Sequence, residues 1–182
     1  SKLLHSQAKR EGLLESNIQV SLDINVPDEG QDGKISWEEG HEPQNKEVLP
    51  HHETIYQCKS GKLDSGDYSS IAITNSGNLQ SKVEEVLSND GHYVLFYAHS
   101  LSPPQRENAI EDIINSIKDF DVSVSNDQIH ILTNDQIARW TNEYFAPIAF
   151  VLDSINKPRT LGEFQSWEEW KRYRDFDVDY VS

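Results

Sequence analysis

His92-Tyr93-Val94-Leu95-Phe96-Tyr97-Ala98 is the stretch that decides the fold. It is aromatic and branched, and it reads as a strand at the centre of a sheet. Before it, Leu79, Val83, Val86 and Leu87 recur at helical spacing over Leu79–Asn89, with Gly91 as the stop. After it, Ser102 caps a second helix that has Pro103 in its first turn. Ala109, Ile110, Ile113, Ile114 and Ile117 form the apolar stripe of that helix. Ile129-His130-Ile131-Leu132 is then a short strand. Thr133 or Asn134 caps a further helix, whose buried face holds Ile137, Trp140 and Tyr144. Strands and helices that alternate in this way predict an α/β sheet with helical crossovers.

Further out the pattern changes. Lys2 to Glu15 has helical character, interrupted by Gly12. From Gln19 the residues alternate, and Val20, Leu22, Ile24 and Val26 share one face of a half-buried strand. Pro27-Asp28-Glu29-Gly30 is a turn, and Lys34-Ile35-Ser36-Trp37 resumes extended structure. The polar, acidic segment Glu38 to Pro50 is a loop. Glu53 to Lys59 is a second strand, with Ile55 and Tyr56 on opposite faces, and Ser60 to Asn78, rich in Ser, Gly and Asp, is loop. Residues 1–156 are expected to form one domain. Residues 157–182 form an extension that packs on the core or leads to a following domain.

The 182 residues suffice for one domain with a sizeable core. The net charge of −15 argues against a free-standing, tight DNA binder, because phosphate contacts dominate such affinity. The single cysteine, Cys58, excludes an internal disulfide and a multi-cysteine zinc site. The longest apolar run, Ala146 to Leu152, is far shorter than the ~20 residues a membrane span needs. No basic-then-apolar leader opens the chain, so a cytoplasmic location without membrane contact is expected. Methionine is absent even at the first position, which reads as a piece excised from a larger protein.

Two features fall at the ends of neighbouring strands: the turn that ends in Asp32-Gly33, and Tyr56-Gln57-Cys58-Lys59. Gln57 and Lys59 are two apart and so project from one face. Phosphodiester hydrolysis needs such a set. Mg²⁺ (or Mn²⁺) takes hard oxygen ligands, for which the Asp32 carboxylate, the Gln57 amide oxygen and the Cys58 backbone carbonyl are the candidates. A metal so held activates water and neutralises phosphate charge. Lys59 is placed to orient the attacking water and stabilise developing negative charge. Gln57 brings no charge, so Asp28 or Glu15 is the candidate for an accessory acidic group.

The arrangement resembles the PD-(D/E)xK nuclease superfamily, in the variant where Gln replaces the acidic residue of the last motif. Asp32 matches the metal-binding Asp, and Gln57 and Lys59 match the terminal Gln-x-Lys. Pro27-Asp28-Glu29-Gly30-Gln31-Asp32 looks like the turn of Mrr-like nuclease domains at the N-termini of prokaryotic STAND NTPases of the antiviral Avs type. Glu29 stands where that turn has Gly, and Gln31 where it has an apolar residue. Gly91 to Phe96, Ile137-Ala138-Arg139-Trp140 and Trp167-Glu168-Glu169-Trp170 are also similar to that group. The resemblance implies a restriction-endonuclease-like central mixed β-sheet flanked by helices. It implies an Mg-dependent endonuclease that cuts double-stranded DNA with little sequence preference. It further implies an NTPase core and a sensor for a phage protein elsewhere in a larger anti-phage defence protein, which forms homo-oligomers.

Other readings compete. Asp32-Gly33 is also a plain turn signal, and Gln57 and Lys59 are also compatible with a solvated strand face. Cys58, between the two in the alternation, is expected to face the core. His51, His52 and His92 lack zinc spacing and are read as loop and strand packing. Arg139, Lys171, Arg172 and Arg174 are read mostly as surface charge. For the whole chain, the alternatives are a catalytically inactive module of the same fold, serving interaction or oligomerisation, and an unrelated α/β enzyme.

Overall fold

The computed structural model describes residues 2–20 and 31–144. Its helices are α1 (Lys2–Arg10), α2 (Ser81–Ser88), α3 (Pro103–Lys118) and α4 (Asn134–Asn142). Its strands are β1 (Ile18–Val20), β2 (Gly33–Ser36), β3 (Glu53–Lys59), β4 (His92–Tyr97) and β5 (Ile129–Leu132). The Leu22–Val26 continuation of the first strand, the Pro27–Gly30 turn, the boundary after residue 156 and the extension 157–182 lie outside the described residues.

The strands form one mixed five-stranded sheet in the order β1-β2-β3-β4-β5. β1, β2 and β3 pair antiparallel, while β3, β4 and β5 pair parallel. The two parallel connections run through α2 and α3, as the strand–helix alternation predicts. Both helices pack on one face, where Ile55, Tyr93, Leu95, Tyr97, Ile129 and Ile131 meet Val83, Val86, Leu87, Ala109, Ile113 and Ile117. On the opposite face Tyr56 stacks on Phe96 at 5.4 Å, and Phe96 meets Trp140 of α4 at 5.8 Å. Helix α1 joins this second layer: Trp140 Nε1 donates to Gln7 Oε1 at 2.8 Å. The sheet therefore has a helical layer on each side, which is why Ile55 and Tyr56, on opposite faces of β3, are both buried.

Local chemistry sets the boundaries. Helix α1 stops at Arg10, short of the expected Glu15, because Gly12 takes a left-handed φ of +79°. Helices α3 and α4 open with capping boxes. Ser102 pairs with Gln105, and Thr133, rather than Asn134, pairs with Gln136. Gly91 lies so close to its neighbours that a Cβ there would sit 2.5 Å from Val86 Cγ1 and 2.9 Å from the Glu53 carbonyl oxygen. It is thus a packing requirement between α2 and β3 as well as a helix stop.

Two loops carry more of the core than their composition suggests. In the 60–78 segment, Tyr68, Ile71 and Ala72 are buried, and Ile73 forms a bridge with Leu79. In the 38–50 segment, Val48 and Leu49 are buried, and Tyr56 Oη donates to the Val48 carbonyl at 2.8 Å. The Glu11 carboxylate accepts the Gln44 and Asn45 amides at 2.8 and 3.2 Å. This loop is thereby pinned to α1. It enters the sheet at the amino end of β3, the end opposite Lys59.

Candidate functional site

Because β2 runs antiparallel to β3, its first residues lie beside the last residues of β3. Gly33 pairs with Tyr56, so Asp32 falls level with Gln57. Two hydrogen bonds hold it there. The Asp32 amide donates to the Tyr56 carbonyl at 2.9 Å, and the Cys58 amide donates to Asp32 Oδ2 at 2.5 Å. Residues 26 apart in sequence are thus clipped together by a carboxylate–amide bond, with Lys59 one residue further on.

Gln57 is buried, at 6% exposure. Its Oε1 accepts a hydrogen bond from Tyr93 Oη, and Tyr93 is fully buried on β4. Burial pushes the Tyr93 phenol well above its ordinary pKa of 10, and the negative charges of Asp32 and Cys58 add to the effect. Tyr93 is therefore a neutral hydroxyl donor at any working pH. Lys59 lies on the Gln57 face by strand alternation and is half-buried. It forms no ion pair among the described residues.

Cys58 is corrected by the structure. It does lie on the face opposite Gln57, but it is exposed rather than buried. The register explains this: Tyr56 is the last residue of β3 paired with β2, so Cys58 projects past the covered part of the sheet. Its side chain lines a cavity of about 230 Å³, together with Asp32, Tyr56, Phe96 and Trp140. The N–H and C=O of one strand residue point to the same side. The Cys58 carbonyl consequently faces the β2 edge, as its amide does, where an oxygen ligand would be needed.

Glu15 is not brought to this group. It opens the short 3₁₀ turn before β1, whose Ile18 pairs with Ile35 of β2, whereas the far end of β1, Val20, is the one beside Gly33. Asp28 lies outside the described residues.

Among the described residues, no group of three or more His, Cys, Asp or Glu is placed to hold a metal ion. The donors at this edge are one carboxylate, one amide oxygen and one peptide carbonyl. They fit Mg²⁺ or Mn²⁺ in kind, being hard oxygens, and they supply a single negative charge. A zinc-type set is absent from them.

Two features of the surrounding edge escape a sequence reading. The Ala98 amide donates to the Lys59 carbonyl at 3.0 Å, and His99 Nε2 lies 2.9 Å from the Ser60 carbonyl, which sets an imidazole beside the site. The amino ends of α3 and α4 follow directly from β4 and β5, and Ser100 Oγ joins them through Asn134 Oδ1 at 3.0 Å. Each helix start carries roughly half a positive charge. In a chain of net charge −15 this edge holds a local positive contribution.

The histidines pack against one another elsewhere. His51 stacks on His92 at 4.8 Å and His92 on His130 at 5.1 Å, and His92 Nδ1 meets His130 Nε2 at 2.9 Å. Burial, then the charges of His130 and His51, lower His92 from its ordinary 6.5 to about 4. Packing is the role the sequence suggests for His51, His52 and His92. His130, read only as a strand residue, joins them. Trp140 is buried and Tyr144 is half-buried, and Arg139 is exposed, while Lys171, Arg172 and Arg174 lie outside the described residues.

No protein-family model, no curated protein and no solved structure matches this chain. Among the described residues no helix is long and apolar enough to cross a membrane.

Proposed function

We propose that the Asp32–Gln57–Lys59 edge is a divalent-metal-dependent phosphodiesterase site acting on double-stranded DNA. The observation that carries the reading is the clip between Asp32 and the Cys58 amide, because it joins the carboxylate to the strand end that bears Gln57 and Lys59. Asp32, the Gln57 amide oxygen and the Cys58 carbonyl are the candidate holders of Mg²⁺ or Mn²⁺. When bound, the ion supplies Lewis-acid chemistry to water and phosphate. Lys59 stabilises charge on the phosphate oxygens. The amino ends of α3 and α4 add a favourable field for an anion at the same edge. The low total charge on the donors fits a weak metal site, and the acidic chain as a whole fits a domain that depends on others for DNA capture.

The resemblance in the 27–32 turn and the Gln-x-Lys motif supports a place as the nuclease effector of a larger, oligomerising anti-phage protein that senses a phage component through other domains.

A second reading rests on a specific observation. Gln57 is buried and already engaged by Tyr93, and the described residues supply only one carboxylate. A module of this fold that has lost catalysis and serves interaction or oligomerisation would carry such a site.

The test is supercoiled plasmid with Mg²⁺ and the chain at high concentration, beside Asp32→Ala and Lys59→Ala. Nicking that EDTA abolishes, and that falls about 10²–10³-fold or more in both variants, is the expected result. Cleavage that persists in both variants overturns the site. A metal titration without substrate separates the two readings, since the inactive module would bind no divalent ion through Asp32.

A further inference from the structure

We infer that His99 is the general base of this edge, taking the proton of the water that attacks a phosphodiester held at Lys59. The inference rests on the reading of this edge as a phosphodiesterase site. It does not depend on which groups hold a metal ion.

A neutral histidine carries its proton on one ring nitrogen or the other, and a hydrogen bond decides which. His99 Nε2 lies 2.9 Å from the Ser60 carbonyl oxygen. A carbonyl oxygen has no proton to give, so Nε2 is the donor. The neutral ring then has its lone pair on Nδ1, the nitrogen that this tether does not use. The tether also fixes the ring, as the orienting partner of a catalytic base does.

The position suits the task. Lys59 pairs with Tyr97 on the neighbouring parallel strand, so both side chains leave the same face. The Ala98 amide donates to the Lys59 carbonyl at 3.0 Å, which carries the pairing one residue past Tyr97. The His99 ring lies 5.3 Å from the ring of Tyr97, which is fully buried. Lys59 and His99 therefore flank one buried tyrosine, and the residue that tethers the imidazole directly follows Lys59. Both side chains are half-buried, so each reaches the surface of the carboxyl edge.

In the step, the water oxygen forms a bond to phosphorus while one of its protons passes to His99 Nδ1. The bond from phosphorus to the leaving oxygen breaks, and its electron pair stays with that oxygen. A leaving alkoxide is protonated by solvent water, and the imidazolium returns its proton to solvent.

The experiment gives the full chain a nitrophenyl diester of thymidine phosphate in the presence of Mg²⁺. This small diester requires no capture of a duplex. Nitrophenolate leaves without a proton donor, so a lost rate reports the attacking water. His99→Gln keeps an N–H donor for the Ser60 carbonyl and removes the base. His99→Gly opens room for free imidazole. The expected result is hydrolysis by the wild type that Lys59→Ala weakens, and a fall of about 10²–10⁴-fold in both His99 variants. Added imidazoles should restore His99→Gly in order of their basicity, and should leave Lys59→Ala unrestored. A wild-type rate in His99→Gln overturns the role and assigns His99 to the tether alone, while the site stands. Loss in His99→Gly that no imidazole restores, or restoration indifferent to basicity, overturns it too and assigns the loss to structure. Absence of hydrolysis by the wild type, or hydrolysis unchanged in Lys59→Ala, removes the phosphodiesterase reading and the inference with it.

Discussion

Asp32 Oδ2 receives the backbone amide of Cys58 at 2.5 Å. One carboxylate oxygen thus completes the sheet beyond the last paired residue of β2, while the negative charge stays at the edge. Structure and chemistry can be separated here. Asp32→Asn keeps an oxygen acceptor for the Cys58 amide and removes the charge, so thermal stability should stay near wild type while Mn²⁺ binding is lost. Asp32→Ala should lose both, with a stability cost of about 1 kcal/mol by chemical denaturation, since the bond is exposed. Equal stability of the two variants would show that the clip does not hold the edge together.

Trp140 and Gln7 make the buried polar link between α4 and α1 at 2.8 Å, with Gln7 at 1% exposure. Gln7→Leu leaves the indole N–H without its partner in an apolar setting. A loss of about 1–3 kcal/mol is expected, measured by denaturant unfolding. The double variant Gln7→Leu with Trp140→Phe removes both partners and should recover part of that loss.

Gly91 admits no side chain, with Val86 Cγ1 2.5 Å from the position of a Cβ and two carbonyl oxygens within 2.9 Å. Gly91→Ala should destabilise the chain by about 1–3 kcal/mol through overpacking between α2 and β3. An unchanged melting temperature would mean that α2 shifts freely, contrary to its packing through Val83, Val86 and Leu87.

The histidine stack makes stability sensitive to acid. His92 is held neutral in the fold, at about 4 against an ordinary 6.5, so the unfolded chain binds more protons between those values. Its contribution is fully present above about pH 6.5 and is lost as pH falls toward 4. His130, lowered by the same burial, acts in the same direction, while Asp127 and Asp90 oppose it. His92→Phe keeps a ring in the stack and removes the titration. The slope of stability against pH from 7 to 4 should be shallower in that variant than in wild type, and parallel slopes would refute the assignment.

Much of this architecture was legible in the sequence, because periodicity and capping chemistry are local. The bounds Glu53 to Lys59 and Ile129 to Leu132, and the Ser102 cap with Pro103 behind it, follow from runs of a few residues. The lining-up of Asp32 with Gln57 was legible as a possibility, since each ends a neighbouring strand. Whether Asp32 and Gln57 have partners was not, because those partners come from elsewhere: the Cys58 amide depends on register, and the Tyr93 hydroxyl on β4 lying next to β3. A tyrosine in an apolar strand was the available signal, since a buried hydroxyl needs a partner. Cys58 misleads because alternation tells which face a side chain takes, not whether that face is covered at that height. The buried part of the 60–78 loop has no period to reveal it, so Tyr68, Ile71 and Ala72 read as connection.

The spatial order of the strands repeats their order along the chain. Each pairing is therefore between sequence neighbours, and each loop closure spans a single connection rather than the whole domain. Among the described residues, each of β2 to β5 therefore emerges after a strand with which it pairs. The sheet can then grow in one direction behind the ribosome, with no early strand kept waiting for a late one.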